Sequence, residues 1–230
     1  MSKITRKIEI VPDVEGLTHE ESNKKCYNTF YNFDRKLYKV ENLLVSQLYG
    51  LDNLLPLMRL QNEEYVDCQR KLSRKSITDA VKDEIKKRME DIDAKLLSVK
   101  NEIAPMHAQS YSYRAVTSSE CAKDIPSDIL DSLKQDVYKH FNENKKEQIR
   151  GERSLTTYKK GMPIPFNLKK KHVIISVGDN YYLPWFEDTR FRLNFGRDRS
   201  NNRAIIDNCI KAKKYKLCPT AKIQLKDRKL

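Results

Sequence analysis

The spacing of apolar residues changes once along this chain, near residue 150. Before that point apolar side chains recur every three or four positions; beyond it they alternate with polar ones. The first period belongs to amphipathic helices and the second to half-buried strands. One switch of this kind predicts an α+β protein with helices gathered ahead of most strands. The charge changes at the same place. Residues 1–144 hold 23 Lys/Arg and 24 Asp/Glu, whereas residues 145–230 hold 22 Lys/Arg and 8 Asp/Glu. The formal net charge of +13 therefore belongs to the strand-rich part. Such a field gathers polyanions by steering and counterion release, which points to nucleic acid first and an anionic membrane surface second. No stretch approaches 18 consecutive apolar residues, so a membrane-spanning helix is excluded. Met1-Ser2-Lys3 leads into no apolar run, and a signal peptide is not expected. Cys26, Cys68, Cys121, Cys209 and Cys218 include no Cys-x-x-Cys pair. Their scatter suits reduced thiols of a cytoplasmic protein rather than a zinc site.

Residues 3–11 predict a strand, with Ile4, Ile8 and Ile10 on one parity and a break from Pro12 to Gly16. Thr18 and Glu21 form a capping-box signature for a helix over 18–48, with Tyr27, Phe30, Tyr31, Leu37, Leu44, Val45 and Leu48 as its apolar positions. Gly50 to Pro56 predicts a break, and 57–72 a further, ragged helix. Over 78–103 a charged helix carries Ile77, Val81, Ile85, Ile92, Leu96, Val99 and Ile103 at 3–4 spacing, either as a bundle stripe or as a dimer seam. Pro105 ends it. The polar aromatic run His107–Arg114 is then either a capping loop with tyrosines packed on the bundle or a nucleic-acid contact through hydroxyls and stacking. Pro126-Ser127-Asp128 opens a helix to about Asn144, with Ile129, Leu133, Val137 and Phe141 inward.

Beyond Arg150 strands are expected at 172–177, at 181–186 (with Pro184 marking an edge or bulge), at 190–195 and at 221–225. Gly178-Asp179-Asn180 is a turn, and 201–211 a short helix. In the 190–195 strand Phe191, Leu193 and Phe195 face one way and Arg190, Arg192 and Asn194 the other. Asp227-Arg228 predicts a hairpin whose partner strand would begin at Lys229-Leu230, as in a shortened version of something longer. The economical topology is a small β-barrel split by an inserted helical domain. Residues 1–15 supply its first strand, 17–147 the helical domain and 148–230 the remaining strands.

No Walker loop, His-Glu-x-x-His or Gly-x-Ser-x-Gly occurs, and His19, His107, His140 and His172 are dispersed. Asp179 or Asp188 with Asp207 is the one carboxylate set placed to converge on a metal, against turn capping as the plainer role. These residues are expected to bind rather than cut.

The run Arg150-Gly151-Glu152-Arg153-Ser154-Leu155-Thr156-Thr157-Tyr158-Lys159-Lys160, followed by Met162-Pro163-Ile164-Pro165-Phe166, resembles a segment of the miniature type V-F CRISPR effectors and the related TnpB-like transposon-encoded nucleases. There an Arg-Gly-acidic-x-Ser-x-x-Ser/Thr-Tyr-Lys pattern follows a helix beginning near Pro-Ser-Asp, as at 126–128 here. Ser110-Tyr111-Ser112-Tyr113-Arg114 is similar to a Gly-Tyr-x-Tyr stretch of some members. The resemblance covers roughly residues 105–230, and the first hundred residues only by architecture. It implies a wedge-type barrel and a recognition lobe that hold a guide-RNA scaffold and the short duplex beside the target, while base pairing reads the sequence. It also implies a prokaryotic, cytoplasmic and nucleoid-associated setting. In the family a RuvC-like nuclease domain, with Mg and often Zn, follows the position of Leu230; nothing here matches its opening strand, so neither cofactor is expected in this chain.

The partners so implied are guide RNA, target double-stranded DNA and a second copy through the helical domain. Arg150, Arg153, Tyr158, Lys159 and Lys160 are the expected guide-RNA contacts, extended by Lys169, Lys170, Lys171, Arg190, Arg192, Arg197 and Arg199. Ser110, Tyr111, Tyr113 and Arg114 are expected beside target-adjacent DNA. A stand-alone binder of structured RNA and a helical protein-interaction scaffold are the alternatives.

Overall fold

A computed structural model of the chain describes residues 5–74, 76–103, 108–168, 173–185 and 189–224. It is α+β, and it divides into two compact units, neither continuous in sequence. Residues 1–39, 124–136 and 158–230 form the first; residues 40–123 and 137–157 form the second. Two long helices, α1 (His19–Gln61) and α5 (Ser127–Ile149), contribute to both.

The first unit holds every described strand. β1 (Glu9–Val14) pairs antiparallel with β5 (Thr189–Asn194), which pairs with β4 (Asn180–Pro184) and then β3 (Ile175–Val177), in the order β1-β5-β4-β3. The first strand thus returns to the late ones, as the charge and period predict. It starts later than expected and runs through Pro12, which lies opposite Phe191. Among the described residues β1 has a neighbour on one side only, so a missing N–H need not interrupt a ladder. Pro184 is tolerated for the same reason: the β3 partner of β4 ends at Tyr182, leaving only β5 beside it. The expected hairpin at 227–228 and the first residues of the expected opening strand, Lys3 and Ile4, lie outside the described residues. β2 (Ile164–Asn167), which alternation does not reveal because it is apolar on both sides of Pro165, pairs only with β6 (Thr220–Ile223). Among the described residues the strands form a four-stranded sheet and a two-stranded ribbon, not one closed barrel. Closure would need the outer edges of β1 and β3 to be bridged, and β2 and β6 are engaged with each other.

The core of this unit is aromatic. Trp185 stacks on Phe30 of α1 at 5.5 Å and meets Phe166 of β2 and Phe191 of β5 edge-on at 5.0 and 5.8 Å. One ring cluster therefore joins α1 to both sheets. The start of α1 is set by Thr18: its amide and hydroxyl donate to Glu21 Oε2 at 2.9 and 2.7 Å, and the Glu21 amide donates back to the Thr18 hydroxyl at 3.3 Å. That reciprocal capping box satisfies first-turn donors that helix geometry leaves open. Within this unit the buried apolar positions of α1 are Cys26, Phe30, Phe33 and Leu37. Tyr27 and Tyr31, expected inward, instead stack on each other at 6.1 Å, with the Arg35 guanidinium 5.7 Å from the Tyr31 ring. The i, i+4 spacing places these three side chains in a surface row.

In the second unit α1 continues without the expected break at Gly50–Pro56. Glycine and proline in a helix interior cost about 1 and about 3 kcal/mol relative to alanine. Packing on both sides offsets this: Val40, Leu44, Val45 and Leu48 are buried ahead of Gly50, and Arg59 beyond Pro56 grips Asp93 with two bonds of 2.7 Å. The turn falls at Asn62 instead, whose carbonyl side chain accepts the Tyr65 amide at 2.8 Å and opens α2 (Glu63–Leu72). α2 packs on α3 (Asp79–Ile103), with Tyr65, Cys68 and Ile92 buried. Of the predicted α3 stripe only Ile92 is buried; Val81, Val99 and Ile103 are exposed, because the short α2 covers only part of a much longer helix. Pro105 lies outside the described residues.

The run after it is not a loop but α4 (Ala108–Thr117), followed by a short 3-10 turn at Glu120–Ala122. α4 buries Ser112 and Val116, and the Thr117 and Ser118 hydroxyls donate to the Arg114 carbonyl at 3.0 Å. No described helix is long and apolar enough to cross a membrane.

Candidate nucleic-acid interface

The Arg150 run begins as a helix cap. Gly151 adopts φ +74, its amide donates to the Gln148 carbonyl at 3.2 Å, and the Glu152 amide reaches the Glu147 carbonyl at 2.9 Å. This pair of bonds is the Schellman arrangement that ends α5, and it needs a residue able to take positive φ. Arg150 and Arg153 project from it, exposed, and lie within ion-pair range of Glu152 (3.9 Å) and Glu147 (3.4 Å). The two units divide between Thr157 and Tyr158, inside the same run. Tyr158 is buried in the first unit, so its ring serves packing rather than an outer face. Lys159 and Lys160 are exposed on a turn that is held from two directions. The Gly161 amide donates to Asp34 Oδ1 at 2.5 Å, and the Gly161 carbonyl accepts Gln224 Nε2 at 3.0 Å.

β5 supplies the next basic residues. Phe191 and Leu193 are buried and Arg192 and Asn194 exposed, as its alternation predicts; Phe195 lies beyond the strand and is half-buried. Arg190 is held: its guanidinium lies 4.9 Å from the Tyr182 ring and 3.7 Å from Asp13. Arg192 sits between Val11 and Tyr182 in the cross-strand register, on the face turned away from the aromatic core. Arg197 and Arg199 are exposed in the turn after β5. Asp198 between them does not neutralise them. Its carboxylate accepts the Asn202 and Arg203 amides at 2.6 and 2.9 Å and so caps α6 (Asn202–Ile210).

The carboxylate of Asp207 is also committed to structure. The buried Tyr181 hydroxyl donates to Asp207, and Lys211 Nζ lies 3.4 Å from the same carboxylate. The Tyr181 bond, then Lys211, holds the Asp207 carboxyl below the ordinary carboxylate range. The same bond and burial push the Tyr181 phenol up, burial being the larger cause. Asp179 is exposed in the β3–β4 turn, where its carbonyl accepts Arg203 at 2.8 Å. Asp188 lies outside the described residues, and among those described no three His, Cys, Asp or Glu side chains are close enough together to hold a metal ion.

Lys169, Lys170 and Lys171 lie outside the described residues. Ser110 and Arg114 are exposed one turn apart on α4, Tyr113 is half-buried, and Tyr111 is described by its backbone alone. The expected residues are thus distributed: Arg150, Arg153 and the α4 group belong to the second unit, and Lys159, Lys160, Arg190, Arg192, Arg197 and Arg199 to the first.

Both units match some of their cations to acids and leave others exposed, Arg70, Arg74, Lys87, Lys95, Arg114 and Lys146 among them in the helical unit. In the helical unit Arg59, Lys71, Lys82, Lys86, Arg88 and Lys145 are matched to Asp93, Asp67, Asp79, Asp83, Glu64 and Asp52. In the strand-bearing unit Lys36, Lys134, Arg190, Lys211 and Lys222 have acidic partners. Lys159, Lys160, Arg192, Arg197, Arg199, Lys213, Lys214 and Lys216 are exposed and make no ion pair among the described residues. The last three are not among the residues expected from sequence, although Lys211-Ala212-Lys213-Lys214-Tyr215-Lys216 is plain to see there; only the exposure of Tyr215 makes the run stand out.

No protein-family model matches the chain, and no curated protein matches it.

Proposed function

We propose that this chain is an RNA-guided DNA-binding protein: it holds a guide-RNA scaffold and the duplex beside the target. In this reading it is the binding half of a compact effector, or a regulator that binds without cutting. The observation that carries it is the set of exposed, unmatched cations in the strand-bearing unit, which lie in a stretch of sequence with few acidic residues. Ions without an internal partner are the ones that gain from a phosphate backbone, because contact releases condensed counterions. The resemblance of residues 105–230 to the type V-F and TnpB-like proteins supplies the guided mode, and base pairing then carries sequence specificity. Under it the four-stranded sheet and the β2–β6 ribbon are the two parts of a split wedge barrel, and α4 presents Ser110 and Arg114 to target-adjacent DNA. The setting is the prokaryotic cytoplasm, in association with the nucleoid. Cleavage, with its Mg and Zn, is not assigned to these residues.

The test is to purify the chain, sequence the RNA that comes with it, and measure binding to duplex DNA matched or unmatched to that RNA. A defined RNA and guide-dependent duplex binding support the proposal. Equal binding to both duplexes, or structured RNA without any guide-dependent step, replaces it with plain RNA binding. The exposed Val81, Val99 and Ile103 of α3 favour a second reading, a helical surface for a protein partner or a second copy. Salt-insensitive partner binding with no RNA retained would select that.

A further inference from the structure

We infer that the segment Lys211–Lys216, at the end of α6, is a clamp for an unpaired nucleotide: Tyr215 stacks on the base, and Lys213, Lys214 and Lys216 take the flanking phosphates. This rests on the reading of the chain as a nucleic-acid binder and names a site and a strandedness within it. Tyr215 is 59% exposed, more than any other aromatic side chain among the exposed hydrophobics. An unpaired nucleotide offers the exposed ring a π-face to stack on, and the backbone phosphates on either side of it offer the lysines anionic partners. The three lysines are exposed and make no ion pair among the described residues, and no acidic residue occurs from 208 to 224.

The segment is shaped rather than slack. Lys213 adopts φ +52, the left-handed region that favours glycine or asparagine. The bend is held by the Lys214 amide, which donates to the Asn208 carbonyl at 2.8 Å, with the Tyr215 amide directed to the same oxygen at 3.4 Å. Upstream, Lys211 is anchored by Asp207 and lies over the Tyr181 ring at 5.3 Å. Downstream, the Pro219 carbonyl accepts the Leu168 amide at 2.7 Å as the chain enters β6. The left-handed turn just past the end of α6 holds Lys213 and Lys214 in a defined bend ahead of Tyr215 in the chain. A duplex has no free base face along its length, so the exposed ring selects single strands, RNA or DNA.

The test uses the full chain and fluorescence anisotropy with an eight-nucleotide uridine strand, the matching thymidine strand, a short duplex and phosphatidylserine vesicles. Tyr215→Ala should weaken the single strands about 5- to 140-fold, the range set by loss of one stacked base, and leave the duplex unchanged. Tyr215→Phe should restore binding, since the ring face and not the hydroxyl is used. Lys213→Gly should weaken single-strand binding while raising Tm, because it removes a charge and relieves the backbone together. The better-bound strand identifies the sugar. Wild-type binding to single strands that survives Tyr215→Ala overturns the inference alone. An intact chain that binds no strand and no duplex overturns it together with the nucleic-acid reading. Vesicle binding that Tyr215→Ala abolishes, with strand binding unaffected, also overturns it, in favour of an anionic membrane surface.

Discussion

Replacing Arg192, Arg197 and Arg199 together with glutamine removes three exposed guanidinium charges that have no acidic partner among the described residues. Because none of them is tied to an acid, each is free to sit at a phosphate, and the loss should appear in the salt dependence before it appears in the fold. Each lost duplex phosphate contact lowers the slope of log K against log salt by about 0.9, and each lost single-strand contact by about 0.7. Three contacts amount to about 2.7 for duplex or about 2.1 for a single strand. Between 50 and 200 mM salt the wild type should therefore lose about 40-fold more affinity for duplex than the variant does, or about 20-fold more for a single strand. The comparison chain is Lys71, Lys82 and Lys86→Gln, whose charges are matched to Asp67, Asp79 and Asp83 at 2.7, 2.8 and 3.5 Å. Its slope should stay near that of the wild type. Anisotropy titrations over a series of salt concentrations measure the slopes, with circular dichroism to check folding. A folded arginine variant with the wild-type slope would refute the assignment of these charges to phosphate.

Other outcomes follow from the fold. Thr18→Ala breaks the capping box and should cost about 1 kcal/mol in urea unfolding. Phe191→Ala empties a fully buried ring position beside Trp185 and Phe30 and should cost about 3–5 kcal/mol, with a change in tryptophan emission. Burial pushes the Cys26 thiol up to about 11, so iodoacetamide should label exposed Cys218 at neutral pH and leave Cys26 until the chain unfolds. Asp207 has a lowered pKa in the fold, so the stability it contributes is fully present above the ordinary carboxylate range and is lost as pH falls through its lowered value. Asp207→Asn should flatten that part of a Tm-against-pH curve.

The candidate surface was legible in part. Alternation alone places Arg192 opposite Phe191 and Leu193, since successive strand residues must face opposite sides, and the structure agrees. Tyr158 was not legible: a tyrosine between a threonine and two lysines has the composition of a surface, yet it is buried. Tyr215 has the same local composition and is exposed. No local rule separates the two, because burial depends on which distant residues arrive, and at Gly161 those are Asp34 and Gln224.

The sequence by itself determined what acts over one or two turns. The capping box at Thr18, the buried Ile129, Leu133, Val137 and Phe141 of α5, the β3–β4 turn and the charge imbalance beyond residue 145 all follow from neighbours in the chain. Tertiary structure decided the rest. Propensity placed a break at Gly50–Pro56, but burial before it and the Arg59–Asp93 pair beyond it carried the helix on to Gln61. Local pattern made His107–Arg114 a loop, and the burial of Ser112 and Val116 belongs to a helix. Strand count suggested a closed barrel; pairing gave a sheet and a ribbon, since which edges meet is a matter of register between segments far apart in sequence. Most of all, sequence counts charges but does not match them. That Arg192, Arg197, Arg199 and the lysines of 213–216 stand without an ion pair among the described residues is decided only once Asp198 has been used as a helix cap and Asp207 has been taken by Tyr181 and Lys211.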